Sequence, residues 1–112
     1  MKIKYSSEID NILKVGHDLS ESGINNWALI KKDALDAVDQ FEKLQIPILG
    51  GDVCELKDNL IQNNYVSWHS DLKQDESKED FVLRSIKETK EYIQNYPKSD
   101  LETTFFVLVP KV

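Results

Sequence analysis

Cys54 and His69 are the side chains of this 112-residue chain whose types could support nucleophilic chemistry. If the two strands that carry them pair as a hairpin, they become cross-strand neighbours, and an imidazole beside a thiol can take its proton to leave a thiolate. No oxyanion-stabilising arrangement can be argued around them, and a lone cysteine in an apolar strand is usually a small buried hydrophobe. His69 and Asp71 stand at i, i+2 on one strand face. Two ligands do not make a metal site, and His17 is expected in a distant helix. Gly50-Gly51 is followed by Asp52, with no helix opening on Lys and Ser/Thr, so a phosphate loop is excluded by context. No catalytic residue, metal or other cofactor is expected from these patterns.

Charge placement offers a different chemistry, that of protein recognition. Asp39 and Lys43, and Asp80 and Arg84, stand at i, i+4 with the acid first, and are expected to pair on solvated helix faces. Asp75 and Glu76 sit in a loop whose local bases are Lys73 and Lys78, while Asp33 and Asp36 share one flank of a helix. These four acids are the candidate contact residues for a basic partner. Leu83 joins them, because helical projection places it on a charged face about 60° beyond the apolar arc, although single exposed leucines are common.

The elements that must position these residues follow from periodicity. Ser6 or Ser7 can cap a helix carrying Ile9, Ile12 and Leu13, with Gly16 or Gly23 to end it. Trp27-Ala28-Leu29-Ile30 reads as extended chain or a tight entry to the next helix. That helix starts near Lys31, with Ala34, Leu35, Val38, Phe41 and Leu44 at helical spacing, and Pro47 cannot continue it. A strand is expected over 46–56 and a second over 65–72, bracketing a turn that runs from Lys57-Asp58-Asn59 to Asn63-Asn64. Ser77-Lys78-Glu79-Asp80 has the form of a capping box with Asp80 in the glutamate position. The helix it opens carries Phe81, Val82, Ser85, Ile86, Thr89, Tyr92, Ile93 and Tyr96 within an arc of about 140°, and Pro97 stops it. Phe105–Val109 does not alternate, so it reads as a strand buried on both faces and is expected at the centre of the sheet.

Within this frame Gly50-Gly51 marks a bulge or bend that fixes Asp52 and the strand direction, since two adjacent glycines weaken a regular strand. Trp68 is expected in the core or on a pocket floor, where its indole N–H requires an acceptor. The whole is an α+β domain spanning 1–112, an antiparallel sheet of three to four strands with two to three helices packed against it.

Composition bounds the partners. Fourteen basic against twenty acidic residues give a net charge of −6, which disfavours nucleic acid and anionic membranes and favours basic proteins. A single cysteine permits no intramolecular disulfide and suits a reducing compartment. Met1–Glu8 has no apolar core of signal-peptide length, and nowhere do eighteen apolar residues run together, so a cytoplasmic protein is expected. These patterns do not fix the oligomeric state, for which a monomer is the expectation.

With these residues placed, the chain resembles the immunity protein 40 family of bacterial polymorphic toxin systems. The resemblance rests on Gly23-Ile24 leading into Trp27-Ala28-Leu29, on Ala34-Leu35, on Ile48-Leu49-Gly50-Gly51-Asp52-Val53, and on Trp68. It continues through Arg84-Ser85, Tyr92-Ile93 and Tyr96 to the closing Phe106-Val107-Leu108-Val109-Pro110. Cys54 stands where the family pattern has an aromatic, and Ile30 where it has a small hydroxyl residue. The resemblance implies a small cytoplasmic protein that binds and neutralises a co-encoded toxin domain, with no catalysis of its own. A small enzyme using Cys54 and His69, or a structural assembly subunit, are the alternatives.

Overall fold

The computed structural model describes residues 3–97 and 102–111. Helix α1, Ser7–Leu13, is capped by Ser6, whose Oγ accepts from the Ile9 N–H at 3.1 Å, and it buries Ile9, Ile12 and Leu13. The chain then forms a short pair, β1 (His17–Asp18) against β2 (Trp27–Ala28), joined through a 3₁₀ turn at Ser20–Ser22, so His17 lies in a strand and not in the helix expected of it, which ends at Leu13. Helix α2, Lys31–Lys43, buries Ala34, Ala37, Val38 and Phe41; its N-cap is Ile30, which offers no side-chain acceptor to the first turn.

Strand β3, Ile48–Lys57, and strand β4, Leu60–His69, form the hairpin expected from their alternation, but its turn is much tighter than the sequence suggests. Asp58 and Asn59 alone make it, both at positive φ (51° and 65°), as a two-residue hairpin turn requires. Asn63 and Asn64 therefore lie within β4, not in a turn. Helix α3, Lys78–Asn95, is capped by Ser77, whose Oγ accepts from the Asp80 N–H at 3.1 Å, and its apolar arc is buried at Phe81, Val82, Ser85, Ile86, Thr89 and Ile93. Strand β5, Thr104–Pro110, completes an antiparallel sheet in the order β4-β3-β5.

The expectation that Phe105–Val109 is central is thus corrected: β3 is central and β5 lies outside it. The physical reason is that two-sided apolarity reports covered faces, not in-plane neighbours. On one face, Phe106 and Leu108 join Val53, Ile48 and Trp68 beneath α2 and α3. On the other, Val107 and Cys54 are covered by Leu19 and Ala28 from the β1–β2 segment, with Phe105 and Ile61 packed alongside. The outer edge of β5 is also occupied. Leu29 and Phe106 exchange both backbone hydrogen bonds, at 2.8 and 2.7 Å, and the Asn26 amide donates to the Leu108 carbonyl at 2.8 Å.

Gly50 adjoins an irregularity in the sheet, while Gly51 pairs in register with both neighbouring strands. The β3–β5 register shifts between Ile48 and Gly50, and Gly50 sits at φ 151°. A Cβ on Gly50 would fall on the Trp68 carbonyl oxygen, and one on Gly51 on the Val107 carbonyl oxygen and the Trp68 ring. Both positions need glycine because neighbouring backbone and indole come too close for any side chain.

Candidate functional site

Trp68 lies opposite Gly51 in the β3–β4 register, and the missing side chain there lets the indole lie flat against β3. It is buried, and its N–H donates to Thr89 Oγ1 of α3 at 3.1 Å, which supplies the acceptor such a site demands. Tyr92 stacks on it with centroids 4.7 Å apart, and Phe106 meets it edge-on at 6.4 Å. Tyr96 continues the series, 6.0 Å from Tyr92 and 5.8 Å from Phe106. An aromatic array therefore runs from the core to the surface at the C-terminal end of α3.

There it opens into a shallow, open cleft of about 540 Å³ lined by Glu88, Glu91, Tyr92, Asn95, Tyr96 and Pro97. Partial burial raises the Tyr92 phenol pKa, and neighbouring Tyr96 adds to the shift, so the Tyr92 phenol stays a protonated hydrogen-bonding group at neutral pH. α3 has no basic residue in its last turn. The negative end of the helix dipole therefore adds to the two carboxylates in favouring a cation here.

Beside the cleft, β4 carries a bulge. Val53 pairs with Val66 but Cys54 pairs with Asn63, which leaves Asn64 and Tyr65 as extra residues on the outer strand. The Asn64 amide donates to the Tyr96 hydroxyl at 3.1 Å, fastening the bulge to the cleft wall. Tyr65 takes φ 58°, its N–H donating to Asn63 Oδ1 at 2.6 Å, and its side chain stands 94% exposed. Left-handed backbone is costly for an aromatic residue, by about 1–3 kcal/mol.

Arg84 organises the opposite flank. Its guanidinium donates to both Glu76 oxygens at 2.9 Å, to Glu88 Oε1 at 2.8 Å and to the Asp71 carbonyl oxygen. Ser70 Oγ donates to the same Glu88 oxygen at 2.7 Å, and the Lys73 N–H donates to Glu76 at 3.0 Å. The loop after β4 is thereby pinned to α3. Glu76 is held at a pKa of about 2, chiefly by its hydrogen bonds from Arg84 and then by the Lys73 N–H, and Arg84 is raised in return.

The residues singled out from the sequence fall in different places. Glu76 is not an unpaired acid, because Arg84 reaches it across eight residues; the expected Asp80–Arg84 pair gives way to this arrangement. Asp39 likewise pairs with Lys90 of α3 at 2.7 Å instead of Lys43, and Glu42 shares that ammonium at 3.3 Å. Asp75 is exposed at positive φ in the loop, Asp36 is exposed, and Asp33 is half-buried in the first turn of α2. The two acidic pairs do not form one patch. Lys78 at the start of α3 shares a depression with Leu44–Pro47 just beyond the C-terminal end of α2, whereas Asp33 and Asp36 lie toward its other end, roughly 12–17 Å along the axis. Leu83 is 56% exposed and overlies the α2–α3 seam beside Glu42, Lys87 and Lys90. Asp52 lines a separate shallow depression on the sheet with Gly50, Gly51, Ser67 and His69.

Cys54 and His69 are not neighbours: Cys54 pairs with Asn63, and His69 pairs with Gly50. Burial, reinforced by Asp52 and Glu55, pushes the Cys54 thiol up to about 11, the opposite of thiolate activation. His69 lies 3.8 Å from Asp71, both well exposed. Among the described residues, no group of three or more His, Cys, Asp or Glu is placed to hold a metal ion, and no helix is long and apolar enough to cross a membrane.

Tyr65, Glu88 and Glu91 escaped the sequence reading. The signal for Tyr65 was present in the two asparagines before it, residues whose side chains hydrogen-bond nearby backbone N–H groups and so stabilise irregular chain.

The family model described as Immunity protein 40 matches residues 18–110. The chain belongs to the immunity protein 40 family. No curated protein and no solved structure matches the chain. The family match extends from β1 to the end of β5 and leaves α1 outside it. In this immunity protein 40 member some of the residues that carried the resemblance help to build the site. Gly50-Gly51 and Trp68 make the platform, Ser85 Oγ accepts from the Ile48 N–H at 3.2 Å to lock α3 onto β3, and Tyr92 and Tyr96 wall the cleft. Membership of this family points to an immunity function.

Proposed function

We propose that this protein is the immunity partner of a toxin domain encoded beside it, and that it neutralises the toxin in the cytoplasm by binding over its active site or a surface the toxin needs for its target. The observation that carries the proposal is the family match over residues 18–110. Immunity proteins of this kind are in general not enzymes, and a buried, high-pKa thiol remote from His69 suits a binder better than a cysteine nucleophile. The net charge of −6, with Asp33, Asp36 and Asp75 outside the ion pairs described above, favours encounter with a basic surface and so would speed association more than it deepens affinity. Aromatic side chains supply affinity in such contacts.

Co-expression tests the proposal. A cell producing the neighbouring toxin domain alone should stop growing, and one that also produces this protein should grow. Rescue should survive Cys54→Ser, which an enzyme using that thiol would not tolerate. Growth arrest that persists at full immunity-protein expression would refute the proposal.

A further inference from the structure

We infer that the bulged outer edge of β4 and the cleft beside it are the toxin-binding face, with Tyr65 as its aromatic anchor and the Glu88–Glu91 cleft as the seat for a lysine or arginine side chain of the toxin. The inference rests on the proposed function and names the surface through which it acts. Tyr65 is held in left-handed backbone, at positive φ, by the Asn63 side chain, and this geometry contributes nothing to the core, since the ring is 94% exposed. A strained residue persists where the surrounding structure enforces it, and such residues gather at binding and catalytic sites. The strand that carries it is unusual as well. β4 has no strand on its outer side among the described residues, and its ten residues, Leu60 to His69, include no Asp, Glu, Lys, Arg or Pro. Edge strands are ordinarily guarded by charges, by proline or by a bulge; β4 has the bulge alone, and an edge without charge or proline on either side of it suits a contact with another protein.

The chemistry of the adjoining cleft selects the partner. Its lining offers two carboxylates, two phenols and an amide with no cation among them, at the C-terminal end of a helix whose last turn holds no base. A guanidinium or ammonium entering there meets opposite charge from Glu91 and Glu88, the helix dipole, and the faces of Tyr92 and Tyr96. Arg84 already draws on one Glu88 oxygen, which leaves Glu91, exposed and only loosely paired with Lys87 at 4.0 Å, as the principal acceptor for an incoming cation. The Asn64–Tyr96 hydrogen bond joins the bulge to the cleft.

The test compares binding of the neighbouring toxin domain to the wild type, Tyr65→Asn and Glu91→Lys by surface plasmon resonance, with thermal melting of each variant. Asparagine tolerates left-handed backbone, so Tyr65→Asn should melt at or above the wild-type temperature while its Kd rises at least tenfold. Glu91→Lys should weaken binding by a similar factor, and a Lys→Glu or Arg→Glu substitution in the toxin should recover part of it. Wild-type binding with Tyr65→Asn within twofold of it would overturn the inference and leave the immunity function standing. A wild type that fails to bind would overturn the proposed function itself.

Discussion

An indole in a protein core has one polar atom to satisfy, and Trp68 directs it at Thr89 while its ring fills the space that Gly51 leaves open. Trp68→Ala should therefore cost about 3–5 kcal/mol in urea unfolding. Thr89→Val, which keeps shape but removes the acceptor, should cost about 1–3 kcal/mol. That Trp68 would be buried and would need an acceptor was legible from its place in an alternating strand; that the acceptor is Thr89 depended on how α3 docks. Glu76 was not legible in its role. Its partner lies eight residues on, across the entry into a helix, where i, i+4 counting cannot find it. The pair gives a pH signature. Because the folded-state pKa of Glu76, about 2, lies below its ordinary value of 4.5, its stabilising contribution is present above the ordinary value and is lost as pH falls toward 2. Asp18, held to about 2 by the Lys4 ammonium and the Ser20 N–H, acts in the same window. Unfolding free energy should fall from pH 5 to pH 2, and Glu76→Gln should fall less steeply over that range while starting from a lower stability at pH 7.

Among the elements, helices were read closest to their observed bounds, because caps and prolines mark their ends locally. The start at Ser77 and the stop before Pro97 both coincide with α3. Strand pairing was read less well, since registers and edges are set by contacts distant in sequence. The turn at Asp58-Asn59 was hidden by the polar residues after it, which proved to be the bulged part of β4. The position of β5 was misread because the covering of its second face by Leu19 and Ala28 comes from a segment without strong periodicity. The glycine pair carries a prediction at this scale. Gly51→Ala forces a methyl into the Val107 carbonyl and the Trp68 ring, so it should destabilise the fold by at least about 1–3 kcal/mol and disturb the near-ultraviolet signal of Trp68.

At the scale of the whole molecule, the α+β architecture and the acidic character were both available from the sequence, while the candidate site was available only in fragments. Tyr92 and Tyr96 were recognised as core residues, and their exposed sides, with Glu88, Glu91 and the Tyr65 bulge, come together only when α3 lies against β4. Under the proposed function, the net charge of −6 predicts a salt-sensitive association with the toxin domain. The association rate should fall steeply as the Debye length shrinks from about 30 Å at 0.01 M to about 10 Å at 0.1 M, with the dissociation rate changing much less. Asp33→Asn/Asp36→Asn and Asp75→Asn should each flatten that dependence. An association rate indifferent to salt and to these substitutions would remove the acidic surface from the account. The most direct measurement is a titration of the neighbouring toxin domain's activity with purified wild-type protein: the account predicts a linear fall to zero at one equivalent, and full toxin activity in the presence of excess immunity protein would contradict it.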